Sequence, residues 1–174
     1  MKPTILISKL AMLDELKGGN VLDIGAGKGK DSVFLRDKGY EVDALDTKIG
    51  ESLGDDINLI EGKIEEYEIE EGKYDLINAN NVFPFVVDKE EVKRIIKDSV
   101  SGLKEGGFLC FSLFGVKDDW SDRDNISFWD YDEALEFISS LPVKLYFKED
   151  EEGYGLTMKG DKKWWNIYRF ILEK

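Results

Sequence analysis

Residues 21–46 read VLDIGAGKGKDSVFLRDKGYEVDALD, and the order of apolar runs and glycines in them decides the fold. NVLDI, residues 20–24, is a short apolar run of the kind that forms a buried strand, and it runs straight into Gly25, Gly27 and Gly29. A short helix follows the glycines through Leu35 and stops at Gly39, a helix-ending residue. YEVDALD, residues 40–46, is the next strand. Strand, glycine turn, helix and strand in that order specify a βαβ unit whose turn approaches a ligand closely.

Upstream, Leu6, Leu10, Leu13 and Leu16 share one helical face, which predicts a helix over 5–17 within an N-terminal segment of 19 residues. Downstream, INLIEG (57–62) is expected as a third strand, although only about ten residues separate it from the second. A parallel crossover ordinarily takes a dozen residues and a helix. YDLINAN (74–80) reads as strand four. Asp88, with Glu91 three residues on, has the pattern of a capping box, followed by Val92, Ile95, Ile96, Ser99 and Leu103 on one face. KEGG turns into FLCFSLF (108–114), strand five. Residues 115–129 form a charged loop long enough to act as a lid. A helix capped by Asp130 and ended by Pro142 comes next, with Tyr131, Ala134, Leu135, Ile138 and Leu141 inward. VKLYF and WWNIYRFIL are joined by a connection with no room for a helix, so they pair antiparallel. The whole is an α/β fold with a mostly parallel sheet, laid out as one domain over 1–174 with no internal repeat or linker.

Composition narrows the function. The 174 residues carry a net charge of −13, and no basic track is present to displace counterions from nucleic acid. An anionic membrane surface would repel the chain, its apolar runs are too short to span a bilayer, and its start lacks a signal-peptide pattern. A single cysteine, Cys110, permits no internal disulfide, and with these features the expectation is a cytoplasmic protein acting on small molecules. There is no histidine, which removes the commonest general base and metal ligand, and no cysteine cluster replaces it; no metal site is expected.

The glycines distinguish between cofactors. A dinucleotide fingerprint, G-x-G-x-x-G, puts its third glycine at residue 30, and that residue is Lys30. Asp46 leaves the second strand beside the turn, where a carboxylate accepts bonds from both hydroxyls of a ribose, and Gly25 and Gly27 let a backbone approach without a Cβ clash. Asp23 either orders the loop or meets a cationic amino group. The stretch from 21 to 46 resembles the first motif and the acidic ribose position of class I S-adenosylmethionine-dependent methyltransferases. It is most similar to the small tellurite-resistance-type branch, with fainter likeness at YDLINANNVFPFV and LKEGGFLCFSLF. The resemblance implies a Rossmann-like three-layer sandwich of seven strands in the order 3-2-1-4-5-7-6, the seventh antiparallel, with S-adenosyl-L-methionine as cofactor and S-adenosyl-L-homocysteine as product. Carried over by position, it assigns Asp23, Gly25, Ala26, Gly27, Asp46, Thr47, Ile64 and Asn80 to cofactor binding. The residue before Ile64 is often an acid in that family, accepting from the adenine amino group; here it is Lys63, which cannot accept.

Methyl transfer from a sulfonium is an in-line displacement that rests on alignment more than on a protein base, so a histidine-free chain is compatible with it. No catalytic base is assigned; a substrate needing deprotonation would turn to an acid such as Asp118 or Asp119, or to water. Loop exits at the sheet's carboxyl edge place Asn81, Phe83, Phe85, Phe114, Trp120 and Trp129 as an aromatic substrate wall, with core packing as the competing role. The expected function is methyl transfer to a small-molecule acceptor. Two alternatives stay open: a protein that holds S-adenosylmethionine or its product without turnover, and a nicotinamide oxidoreductase, which Lys30 opposes.

Overall fold

The structure is a computed structural model that describes residues 2–48 and 53–174. One sheet organises it. Its strands are β1 (Gly19–Ile24), β2 (Tyr40–Asp46), β3 (Ile57–Glu61), β4 (Tyr74–Ala79), β5 (Leu103–Gly115), β6 (Phe128–Trp129), β7 (Lys144–Leu156) and β8 (Lys162–Glu173). They lie in the order β3-β2-β1-β4-β5-β8-β7, with the two-residue β6 paired parallel to the end of β5. Except for β8, which runs antiparallel to both β5 and β7, the pairing is parallel. This is the expected seven-strand order with one short strand added inside the 115–129 segment. β3 pairs with β2 from Val42–Ile57 to Asp46–Glu61 without an intervening helix among the described residues.

Helices cover both faces. α1 (Ile5–Met12) and α2 (Lys30–Asp37) pack on one, where Leu6, Leu10, Leu35, Val21 and Val42 are buried together. α3 (Lys89–Gly102) and α4 (Tyr131–Ser139) cover the other, where Ile95, Ile96, Ala134 and Ile138 meet Leu22, Ile77 and Phe111. Each buried leucine or isoleucine contributes about 1.5–3 kcal/mol, and the stripe-on-sheet pattern of α3 recovers that gain on one face only.

Three local expectations change. The first helix ends at Met12 rather than 17, because Asp14 takes a left-handed conformation (φ 55°) and turns the chain; Leu13 is consequently exposed. Asp88 does cap α3, accepting from the Glu90 N–H at 2.9 Å, but the reciprocal arm of the capping box is missing since Glu91 pairs with Arg94 instead. The KEGG segment lies inside β5 as a register shift, between Leu103 opposite Tyr74 and Phe108 opposite Leu76.

Candidate functional site

At the carboxyl edge of β1 and β2 the chain leaves an open cleft of ≈ 490 Å³, within the range that holds a small organic ligand. Its walls come from four strand exits. Ile24 and Gly25 leave β1; Leu45, Asp46 and Thr47 leave β2; Gly62, Lys63, Ile64 and Glu65 follow β3; Asn81, Val82, Phe85 and Val86 follow β4. Strand order explains the location: the chain goes outward from β1 to β3, then returns across it to β4, so the loops diverge there and leave a gap.

Gly25 carries the turn. Its φ is +69°, its N–H donates to the Leu45 carbonyl at 2.7 Å, and a Cβ there would meet Val82 Cγ2 at 2.4 Å. Gly25 and Val82 line the cleft side by side, and a side chain at residue 25 would displace Val82. Gly29 closes the turn at φ +70°, where a Cβ would run into Leu53, and α2 starts at Lys30. Lys30 is thus the first helical residue, in the place a third dinucleotide glycine would take.

Asp46 stands at the cleft with its carboxylate oriented by the backbone. Gly27 N–H donates to Oδ2 at 2.8 Å and Lys48 N–H to Oδ1 at 3.0 Å. Each carboxylate oxygen has a second lone pair, so acceptor capacity remains for a diol. Thr47 Oγ1 is 3.5 Å from Oδ1, at the outer limit of a hydrogen bond.

Asp23 sits beneath the turn, not in the cleft. It is 2% exposed, accepts from Ser32 Oγ at 2.5 Å and Asn78 Nδ2 at 2.8 Å, and lies beside Asp31. Asn78 Nδ2 also reaches Asp31 at 3.1 Å, and Asp31 accepts from the N–H and hydroxyl of Thr4. Burial raises the Asp23 carboxyl to about 6, against the pull of its two side-chain donors. Its observed contacts tie β1, α2, β4 and, through Asp31, the chain ahead of α1 into one network.

Of the other sequence-predicted positions, Gly25, Asp46, Thr47, Ile64, Asn81 and Phe85 line the cleft. Gly27 holds Asp46 from beside it, and Ala26 packs against the α1/α2 core. Asn80 closes β4 with Oδ1 buried and unpartnered. Asn81 is held at φ 58° with its N–H on Ser112 Oγ at 2.7 Å. The aromatic wall divides. Phe85 is 54% exposed at the cleft, while Phe83 is fully buried against Phe111 and Trp129 is fully buried in the α3/α4 core. Phe114 and Trp120 belong to a separate aromatic cluster with Trp165, which meets the cleft through Phe85, edge-on to Phe114 with ring centroids 6.0 Å apart. Asp118 is buried against Lys163, and Asp119 accepts the Trp164 N–H at 2.6 Å, so neither faces the cleft as a spare base. Sequence reasoning missed Val82 and Val86 as walls; their signal was the VFPFVV run directly after strand four. Cys110 is buried and its thiol is pushed up by desolvation, so it is inert.

The chain matches known proteins across this architecture. A family model described as a methyltransferase domain matches residues 5–158. An uncharacterized methyltransferase of Staphylococcus carnosus (strain TM300) is 26% identical over 153 residues, spanning 82% of this chain and 71% of that protein. Among solved structures, an S-adenosylmethionine-dependent methyltransferase from Methanosarcina mazei superposes with a TM-score of 0.73 at 18% identity, covering 100% of this chain and 99% of that one. The 1,6-didemethyltoxoflavin-N1-methyltransferase of Burkholderia thailandensis, with 1,6-didemethyltoxoflavin and S-adenosylhomocysteine bound, gives a TM-score of 0.68 at 16% identity over 95% of this chain and 74% of that one.

Proposed function

The chain belongs to the methyltransferase-domain family, and from that premise we propose that residues 1–174 act as one domain transferring a methyl group from S-adenosyl-L-methionine to a small organic acceptor. The observation that carries the reading is the pairing of a side-chain-free turn at Gly25 with an oriented carboxylate at Asp46 across one cleft. The donor set fits the ligand: Asp46 has acceptor capacity for both ribose hydroxyls, and Leu45 and Ile64 offer apolar flanks to the adenine. Asn80 Oδ1, a buried acceptor without a partner, suits the cationic amino group at the methionine end. Lys63 replaces the acid that accepts from the adenine amino group in related enzymes, so the backbone of 62–65 takes that contact.

When bound, the sulfonium supplies an electrophilic methyl group and S-adenosylhomocysteine is left as product. What this chain adds is alignment and exclusion of water. Val82, Phe85 and Val86 form the apolar wall beside Asn81, and a fixed wall reduces the orientational freedom of an acceptor in the same cleft. Among the described residues neither Asp118 nor Asp119 lines the cleft, and Glu65 is the carboxylate besides Asp46 that does. The net charge of −13 favours a small molecule over a nucleic acid.

Calorimetry with S-adenosylmethionine, S-adenosylhomocysteine and NAD tests the reading. Saturable 1:1 binding of both adenosyl ligands and none of NAD is expected; no adenosyl binding at about millimolar concentration (roughly −4 kcal/mol) would overturn it. Transfer of a labelled methyl to a panel of thiols, amines and carboxylates then separates an enzyme from a protein that only holds the cofactor.

A further inference from the structure

The aromatic cluster beyond β5 contains a cation. Lys163, the second residue of β8, is 4% exposed, and its ammonium pairs with Asp118, itself 1% exposed. Lys163 Nζ lies 3.8 Å from the ring centroids of both Trp120 and Trp165 and 5.4 Å from that of Phe114. The two indoles meet at 62° with centroids 5.4 Å apart, and Phe114 stands edge-on to Trp165 at 5.6 Å. Several π faces and one carboxylate around an ammonium make the arrangement that recognises organic cations. Here the protein's own side chain fills it.

Two further observations separate the cage from an ordinary buried ion pair. Asp118 is oriented without Lys163: Oδ1 accepts the Trp120 N–H and Oδ2 the Asn166 N–H, each at 3.0 Å. The carboxylate therefore keeps its place if the lysine leaves, and still requires a cation. The cage also adjoins the cleft. β8 runs antiparallel to β5, so its first residues lie at the edge where β5 ends, and Phe114 touches Phe85, a wall of the cleft. Burial depresses the Lys163 ammonium below its ordinary range despite Asp118, so hydration outside would favour its charged form.

We propose that Trp120, Trp165, Phe114 and Asp118 form a receptor for an organic ammonium group on the methyl acceptor, and that Lys163 occupies it until the acceptor displaces it. The inference rests on the methyltransferase reading of the neighbouring cleft. A protonated or quaternary ammonium has no lone pair, so the caged group is a handle and a second, nucleophilic group on the same molecule takes the methyl. Exchange of one ammonium for another leaves Asp118 paired throughout, and Lys163 goes to water on its four-carbon stem.

Displacement is measurable on the unaltered protein. Choline chloride and its neutral isostere 3,3-dimethylbutan-1-ol are compared at matched ionic strength, with Lys163 accessibility read by amine acylation and peptide mass. Choline at about 50 mM should raise acylation of Lys163 about fivefold or more, while exposed Lys159 stays unchanged and the alcohol has no effect. Lys163→Ala, lacking the internal competitor, should bind choline about tenfold more tightly than the unaltered protein by tryptophan emission. If that variant is unfolded, choline should restore its circular dichroism. Unchanged acylation in choline overturns the proposal, as does a Lys163→Ala protein with neither tighter binding nor recovery. Calorimetry with S-adenosylhomocysteine on the same samples reads the cleft separately. Binding there with an unresponsive cage refutes this inference alone; a responsive cage without such binding supports the receptor and refutes the methyl-donor reading.

Discussion

Asp23, near the end of β1, and Asp118, beyond the end of β5, are both buried carboxylates at one edge of one sheet, and the chain satisfies them by opposite means. Asp23 is surrounded by neutral donors, Ser32 and Asn78, with a second acid nearby. Asp118 has a lysine ammonium and two backbone N–H groups. The contrast explains why one half of the edge is open and the other closed. Neutral hydrogen bonds brace the glycine turn from below and leave no charged side chain of their own in the cleft above it, whereas an ion pair needs its cation in place and so fills its own pocket. The open half is where a cofactor fits; the closed half opens only by exchange.

Removing Asp118 should produce the largest effect. Asp118→Ala leaves the Lys163 ammonium buried without its counter-charge, a loss of about 3–5 kcal/mol that urea titration measures. A loss below about 1 kcal/mol would mean that the two halves do not differ in this way.

Asp23 provides the complementary test through pH. Its folded-state value of about 6 lies above the ordinary 3.8, so the folded protein binds more protons than the unfolded chain between those values. The group's stabilising contribution is full below about 4 and is lost as pH rises through about 6, a swing of about 3 kcal/mol. Asp23→Asn has no such titration. The stability difference between the unaltered protein and this variant should therefore fall by that amount from about pH 4 to pH 7, and a flat difference would place Asp23 in a solvated setting.

In the open half, Asp46→Ala removes a charged acceptor from the ribose diol and from Gly27 N–H, at a cost of about 1.5–3 kcal/mol. Affinity for S-adenosylhomocysteine should fall roughly ten- to a hundredfold by calorimetry, with the melting temperature little changed. The smallest effect belongs to Lys63. Lys63→Glu supplies an acceptor for the adenine amino group on the cleft wall and should tighten the same ligand by about fivefold, one hydrogen bond of about 1 kcal/mol. Weakened binding would show that Lys63 already contributes.

The difference between the halves also tracks what was legible in the sequence. The open half is written in local signals: apolar runs of strand length, glycines at 25, 27 and 29, and an acid at the tip of the next strand. Each acts on its own neighbours, so periodicity and turn chemistry suffice for the mostly parallel sheet, and the strand order followed from the family resemblance alone. The closed half is made by contacts of residues 114, 118 and 120 with residues 163 and 165, over forty positions away. Lys163 and Trp165 share a face of β8, but a two-residue spacing names no partner across the sheet. Trp129 shows the same limit: in the charged loop it looked available, and only the pairing of β6 with β5 turns it into the core. Asp23 was open between loop ordering and ligand contact because one residue along a strand decides which side of the sheet a carboxylate meets.

The most direct test is a crystal of the protein soaked with S-adenosylhomocysteine. The account predicts density for the adenosyl group between Gly25 and Ile64, with both ribose hydroxyls within hydrogen-bonding distance of Asp46, and Lys163 still against Asp118 in the absence of an acceptor. Adenosyl density elsewhere, or a ribose turned away from Asp46, would contradict it.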